Sequence, residues 1–373
     1  MPIYMDRHDI SGATAKDVAL VHQEDLKIQE RFQCRGLTYW FDEERGIAFC
    51  LIEAPDADSV KEMHKHAHGL VPNQVIEVKS DIVESFLGRI EDPMATNDVD
   101  ETELLIINDP AFRIIMAVEL QEAVLIKHRV KKSRAEQIHK AYRQLVKVTL
   151  IEFKGRRVEH VKDGFLVSFS SITNAIGATV EIQTGLKKLS ANLDIQLHIQ
   201  IGISAGVPIT ENEDFFGETI QHARQLCEIA KAGQTLVSSS VKAYLRNDDV
   251  ELLNNKETVK ILNPAEDDFL EQLGKAAIDL WNDPEFTIEH FNTKMGLSKS
   301  QLYRKTVSLT ALSPNDFIKE YRLKMSLKHL AESKGNVSEI AYDSGFSSPS
   351  YFSKCFQKRY GICPSEFLHS GDV

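Results

Sequence analysis

Hydrophobic positions along the first eighty residues switch between a period of two and a period near 3.6. Pro2 to Asp6 alternates as a strand. Ala13 to Gln33 carries Val18, Val21, Leu26 and Ile28 at helical spacing. LTYWFDEERGIAFCLIEA reads as a hairpin turning at Asp42–Gly46. DADSVKEMHKHAHG reads as a helix capped by Asp56 or Asp58 and stopped by Gly69, and VIEVK closes the series as a strand. Residues 81–110 are expected as an acidic linker region. Within them EDPMATNDVDETE, residues 91–103, is turn-rich and has no apolar period.

The order βαββαβ predicts an α+β ferredoxin-like domain over residues 1–80. Residues 111–262 read as a second, α/β unit. FRIIMAVEL is a strand and RAEQIHKAYRQLVKVTLIEF a helix. RRVEHVKDGFLVSF is a hairpin turning at Lys162–Gly164. SITNAIGATVEIQTGLKKL is a helix and IQLHIQIGISAGVPI a long strand, and FFGETIQHARQLCEIAKAGQTLVSS is a helix leading to a strand. Asn263-Pro264 marks the next boundary, and residues 267–369 read as helices throughout.

That last region contains one device written twice, at residues 287–317 and 337–367. In each, a short apolar helix runs into a glycine, Gly296 or Gly345, suited to the left-handed turn that ends a helix. Ser298 with Gln301, and Ser348 with Pro349, then open a second helix. Lys305 aligns with Lys354 at an offset of 49, and Pro314 with Pro364 at 50, so one residue slips late in the repeat. Helix, glycine turn and polar helix form the helix-turn-helix plan, whose second helix can enter a major groove. The expected DNA-facing residues are Ser298, Lys299, Gln301 and Arg304, with Ser348, Ser350 and Lys354. Arg322 and Lys324, on the helix between the motifs, are expected at the solvated surface or near phosphate.

GLSKSQLYRK, LSPNDFIKEYRLKMSLKHL and NVSEIAYDSGFSSPSYFSKCFQKRYGICPSEF together resemble the DNA-binding domain of AraC/XylS transcription regulators. Asn292 departs from the small residue usual at that position. The resemblance implies an all-α tandem helix-turn-helix domain with double-stranded DNA as partner.

Charge changes the picture once it is divided. The formal net charge is −11, yet residues 271–373 hold 13 Lys/Arg against 12 Asp/Glu, so the acidity lies upstream. A reader so weakly basic binds weakly as a single copy, because phosphate neutralisation supplies much of the affinity. Doubling it on one site would help through effective concentration. No apolar run is long enough to span a membrane. The five cysteines are scattered without a CxxC pair, which predicts reduced thiols and a cytoplasmic protein.

The N-terminal chemistry is histidine-rich. His64 and His68 are four apart, on one helix face, and His22 with Asp25 forms a second imidazole–carboxylate pair. Such donors suit nickel, zinc or copper. HQEDL, YWFDEERGIAFCLIEAP and MHKHAHGL resemble a small family of bacterial nickel-binding proteins, which implies a sensor of nickel or another divalent transition metal, or of a small ligand.

VKDGFLVSF, HIQIGISAGVP, EDFFGETIQHARQL and AGQTLVSSSV resemble the class III adenylate/guanylate cyclase domain, which implies a palm-type fold and a homodimer. By that resemblance the two metal-holding aspartates correspond to Glu119 and Asp163, and the base-selecting positions to Glu159 and Asp214. The family's asparagine corresponds to Gln221 and its transition-state arginine to Gln225. Glutamine cannot offer a charged fork to a developing phosphate charge. The expectation is therefore a multidomain transcription regulator with a catalytically inactive central domain, answering to a metal ion or nucleotide-like effector. The rivals are an active nucleotide cyclase with a DNA-binding appendix, and a metal-binding protein with secondary DNA binding.

Overall fold

Strand β1 (Ile3–Asp9) is the seam of the N-terminal sheet, pairing antiparallel with β3 (Ile47–Glu53) on one side and β4 (Gln74–Val78) on the other. β2 (Arg35–Asp42) completes the order β2-β3-β1-β4, and helices α1 (Ala15–Ile28) and α2 (Ala57–Ala67) cover one face. This is the ferredoxin-like arrangement expected from βαββαβ. The computed structural model describes residues 1–93, 104–161, 164–210, 214–245 and 258–369.

The apolar run Ala48–Ile52 is buried at every position, as a strand covered on both faces must be. Helices α1 and α2 supply Val18, Val60 and Met63 to one side. The other side is covered by the central domain, so that Met5, Trp40, Phe49 and Leu51 share one core with Ile115, Ala117 and Leu166. Part of the expected linker belongs to this core. Ser80–Leu87 is helix α3, with Val83, Phe86 and Leu87 buried. Its single apolar face spans barely two turns, too short for a periodic signal beside the acidic stretch that follows. Leu104 and Ile107 return to pack on the first domain, where Ile107 N donates to Tyr39 Oη at 2.9 Å. Residues 94–103 lie outside the described ones.

The central sheet runs β10-β9-β8-β5-β7-β6. Its strands are β5 (Arg113–Leu120), β6 (Arg156–Val161), β7 (Gly164–Phe169), β8 (Ile199–Gly206), β9 (Thr235–Val237) and β10 (Val259–Ile261). β5 alternates strictly. Ile114, Met116 and Val118 face α5 (Lys132–Glu152) and α6 (Ile172–Leu193), while Ile115 and Ala117 face the first domain. α4 (Ala123–Arg129) leads from β5 into α5. α7 (Gly217–Ile229) lies tight on β8, since a Cβ at Gly202 would sit 2.0 Å from Ala223 O.

Helix α8 (Pro264–Leu280) opens the C-terminal region with Asn263 and Glu266 in a capping box and Pro264 in its first turn. The first motif is α9 (Ile288–Met295) and α10 (Lys299–Thr310), and the second is α12 (Val337–Asp343) and α13 (Pro349–Tyr360). α11 (Pro314–Ala331) joins them and α14 (Pro364–His369) ends the described chain. Gly296 and Gly345 both take positive φ, 61° and 73°, as the turn requires.

The slip between the copies lies earlier than the sequence suggested. The second helices start at Lys299 and Pro349, an offset of 50, so the extra residue sits in the turn after Gly345. Buried Leu302 and Thr306 therefore match Phe352 and Phe356, and Arg304, rather than Lys305, matches Lys354.

Candidate metal centre and nucleic-acid interface

Helix α2 presents His64 and His68 on one face toward Asp25 of α1. His64 Nδ1, His68 Nε2 and Asp25 Oδ1 form a triangle with all three edges at 3.1 Å. Ligand atoms about 2.1 Å from one ion and at right angles to each other lie about 3 Å apart, so this donor set matches one face of a coordination polyhedron. Two imidazoles and a carboxylate suit nickel, zinc or copper rather than calcium or magnesium. The cluster borders a pocket of ≈ 80 Å³, room for an ion with a little water.

The strand beneath supplies what the sequence reading missed. Asp6, fully buried on β1, lies 2.7 Å from His64 Nε2 through Oδ2. Its Oδ1 accepts from Cys50 N at 3.0 Å and lies 3.4 Å from His8 Nε2. Asp6 thus fixes the orientation of His64 and leaves Nδ1 facing the triangle, as carboxylates behind metal-bound histidines do. Asp6, His8 and His64 also form a second group of convergent donors. The signal was available, since Asp6 and His8 alternate on one face of a short strand, but nothing local paired that strand with α2.

His22 also lines the pocket, but it is not a vertex of the triangle. Its Nε2 sits 3.3 Å from Asp92 Oδ2 and its ring packs on Tyr39.

Burial alone would lower the His64 pKa. The charges of Asp6 and Asp25 and the hydrogen bonds to both outweigh it and push His64 up to about 10. Burial would raise Asp25 and Asp6, yet their histidine partners hold both below the usual carboxylate range. Burial, followed by the Asp6 charge, pushes the Cys50 thiol well up, which keeps it protonated beside the site.

Two of the positions marked by the cyclase resemblance, Glu119 and Gln225, are met by the C-terminal helices. Glu119, at the end of β5, pairs with Lys324 of α11 at 3.3 Å. Gln225 on α7 donates to Glu271 O of α8 at 2.7 Å, and a Cβ added at Gly274 would strike that glutamine. Gln221 and Asp214 are exposed. Asp163 lies outside the described residues, and Glu159 is placed only as a backbone position of β6.

The α7–α8 junction is held by Asp267. Its Oδ2 accepts from Ser238 Oγ at 2.8 Å, Ser239 N at 2.6 Å and Ser239 Oγ at 2.7 Å. His222 Nε2 lies 2.9 Å from Oδ1, close enough for charge attraction. Burial would raise the Asp267 pKa, but His222 and the serines hold it down. Asp267→Ala should cost about 1–3 kcal/mol by leaving buried donors unpaired, seen as a lower urea midpoint. A carboxylate with a depressed pKa contributes fully above its ordinary value near 3.9 and loses that contribution as pH falls through the lowered value. The gap between wild type and variant should therefore close at acid pH. A variant matching wild type at pH 7 contradicts the assignment.

In the reader, Ser298 and Gln301 are committed to the start of α10. Ser298 Oγ accepts from Gln301 N at 3.3 Å, and Gln301 Oε1 accepts from Ser298 N at 3.0 Å. Lys299 pairs with Glu289. Arg304 is exposed, as are Tyr303, Ser350, Tyr351 and Lys354, and Ser348 caps α13 through Tyr351 N. Arg322 and Lys324 do not lie free at the surface. Arg322 donates to Trp281 O at 2.7 Å and Asp283 O at 2.6 Å, and Lys324 is held by Glu119. Asn292 is half-buried, and among the described residues its Oδ1 has no hydrogen-bond partner.

Residues 4–78 match the family model of the nickel responsive protein SCO4226-like, and residues 292–370 match that of a helix-turn-helix domain. Histidine kinase P4 of Formosa agariphila is 41% identical over 101 residues, 26% of this chain and 7% of that protein. The HTH-type transcriptional regulator MtrA of Neisseria gonorrhoeae is 31% identical over 132 residues, 35% of this chain and 42% of that one. The chain thus spans less than half the length of either relative. A solved structure of adenylate cyclases from Trypanosoma brucei in their monomeric state is similar over 38% of this chain and 80% of that one, at 15% identity and a TM-score of 0.33. The chain thus joins an N-terminal segment that matches the SCO4226-like model to a C-terminal segment that matches a helix-turn-helix model.

Proposed function

We propose that this protein is a sequence-specific DNA-binding transcription regulator whose occupancy is set by a divalent transition metal held at Asp25, His64 and His68. The observation that carries the reading is the pair of helix-turn-helix motifs, each with an exposed polar helix beginning just after a glycine turn, within the segment that matches a helix-turn-helix model. The relatives with regulator names support the same class. α10 and α13 would enter successive major grooves, with Arg304 at the first and Ser350 and Lys354 at the second. Lys299 would exchange its Glu289 partner for phosphate.

Bound metal would be ligated by neutral His64 Nδ1, His68 Nε2 and the Asp25 carboxylate, with Asp6 orienting His64. The ion would fix α1 against α2 and thereby favour one arrangement of the protein over another. Two copies joined through the central domain would offer four helix-turn-helix units, which suits a reader with almost no net charge.

Genome-wide mapping of bound sites with and without added Ni²⁺ or Zn²⁺ tests the whole reading. Discrete sites whose occupancy follows the metal are expected. Sites indifferent to every metal would remove the sensor, and an absence of sites would remove the regulator. Calorimetry on the full chain should register Ni²⁺ binding that His68→Ala abolishes, and unchanged heat would exclude this ligand set.

The cyclase-like domain serves here as scaffold. Support comes from Glu119 and Gln225, which face protein groups on α11 and α8 where the family's residues would face nucleotide and metal. Incubation with ATP or GTP and Mn²⁺ should give no cyclic product above background. Product that disappears with Asp163→Ala would establish the enzyme instead.

A further inference from the structure

One run of the central domain breaks the acidic balance of everything upstream of the reader. Residues 127–134 read KHRVKKSR, five Lys/Arg and a histidine with no acid among them. They span the end of α4 and the start of α5. Arg129, Lys131, Ser133 and Arg134 border a cavity of ≈ 450 Å³ there. All five cations are exposed. Arg129 pairs with Glu122 at 2.7 Å, and Arg134 donates to Leu193 O at 2.6 Å. Among the described residues, Lys131 and Lys132 make no ion pair. Like charges this dense repel, and an anionic partner relieves the repulsion.

The fold sets this run against the second helix-turn-helix. The His128 ring lies 4.3 Å from that of Phe367 on α14, and Lys127 Nζ lies 5.8 Å from the same ring. Leu125 of α4 enters the core formed by Phe352 and Phe356 of α13. Arg359, in the last turn of α13, reaches Glu122 at 2.5 Å. α4 is therefore fixed against the C-terminal end of α13 and against α14, with its exposed cations on the surface that continues from the second motif.

We infer that residues 127–134 contact the phosphate backbone flanking the groove read by α13, so that the central domain forms part of the DNA interface. The inference rests on the DNA-binding reading above. Duplex DNA is the occupant favoured by the two observations together. The cations form an open surface continuous with a helix-turn-helix, and that reader's own cations are nearly cancelled by its acids, 13 Lys/Arg against 12 Asp/Glu in residues 271–373. Phosphate contacts of this kind add affinity and position without reading sequence.

The test uses full-length protein and a fluorescent duplex that it selects from a random pool, with anisotropy measured across a salt series. Lys131→Glu/Lys132→Glu should make the log–log salt slope shallower by about 2 and weaken binding about tenfold at low salt. Lys131→Gln/Lys132→Gln should show part of the same change. Lys187→Glu/Lys188→Glu alters net charge equally on an exposed part of α6 and should leave the slope as in wild type. Circular dichroism of each variant verifies folding.

The inference is overturned if the 131/132 variants keep the wild-type slope, or if the 187/188 variant loses as much. Wild type that binds while the 131/132 variants are unchanged defeats only this inference. Wild type that selects no duplex defeats the DNA-binding reading as well.

Discussion

His64→Ala should lower the unfolding free energy of metal-free protein by about 3–5 kcal/mol, as urea denaturation in chelator would measure. Asp6 is fully buried and Asp25 nearly so, and His64 lies between them with one ring nitrogen on each carboxylate. Removing the imidazole leaves two buried carboxylates facing a cavity. Among the described residues each then keeps a single imidazole neighbour, His8 at 3.4 Å for Asp6 and His68 at 3.1 Å for Asp25, and neither bridges the two as His64 does. The loss should shrink when Asp6→Asn is added, because the variant then no longer buries that unpaired charge, and the non-additivity measures the coupling. His68→Ala keeps the Asp6–His64–Asp25 chain and should cost clearly less while still abolishing metal binding. Equal costs for the two histidines, or a wild-type midpoint for His64→Ala, would contradict this division of labour.

Arg304→Ala and Lys354→Ala should each weaken binding to a selected duplex by about 1–3 kcal/mol, and the double variant by roughly the sum. They occupy equivalent places on α10 and α13, both exposed, and among the described residues neither makes an ion pair. Sequence preference should relax at separate positions of the site for the two variants. Ser298→Ala should act differently. Its hydroxyl caps α10, so the change costs about 0.5–2 kcal/mol of stability and weakens binding through folding rather than base contact. Anisotropy at fixed salt together with thermal melting separates these routes. Undiminished affinity in the Arg304/Lys354 double variant would remove both helices from the groove.

The elements were legible in the sequence because their periods are strong and their ends are marked. Asp56 caps α2, Asn263 with Pro264 starts α8, and Gly296 and Gly345 close the first helices of the two motifs. Within one helix the site was also legible, because spacing alone brings His64 and His68 together. Asp6 was hidden because its partner is 58 residues away and only sheet pairing unites them. The repeat's slip was misplaced because Lys305 and Lys354 look alike, whereas burial of Thr306 and Phe356 fixes the register. Arg322 and Lys324 read as surface cations because nothing local announces that Trp281 O and Glu119 await them.

The core shared by the two sheets has a consequence for how such a chain can be rearranged. Met5, Trp40, Phe49 and Leu51 share their core with Ile115, Ala117 and Leu166 and with Val83, Phe86 and Leu87 of α3. Cut away near residue 80, the first unit would turn a broad greasy flank to water and clump with its own kind. In this protein the first domain is therefore no detachable cassette, and grafting it onto another chain would demand that its neighbour's sheet travel with it.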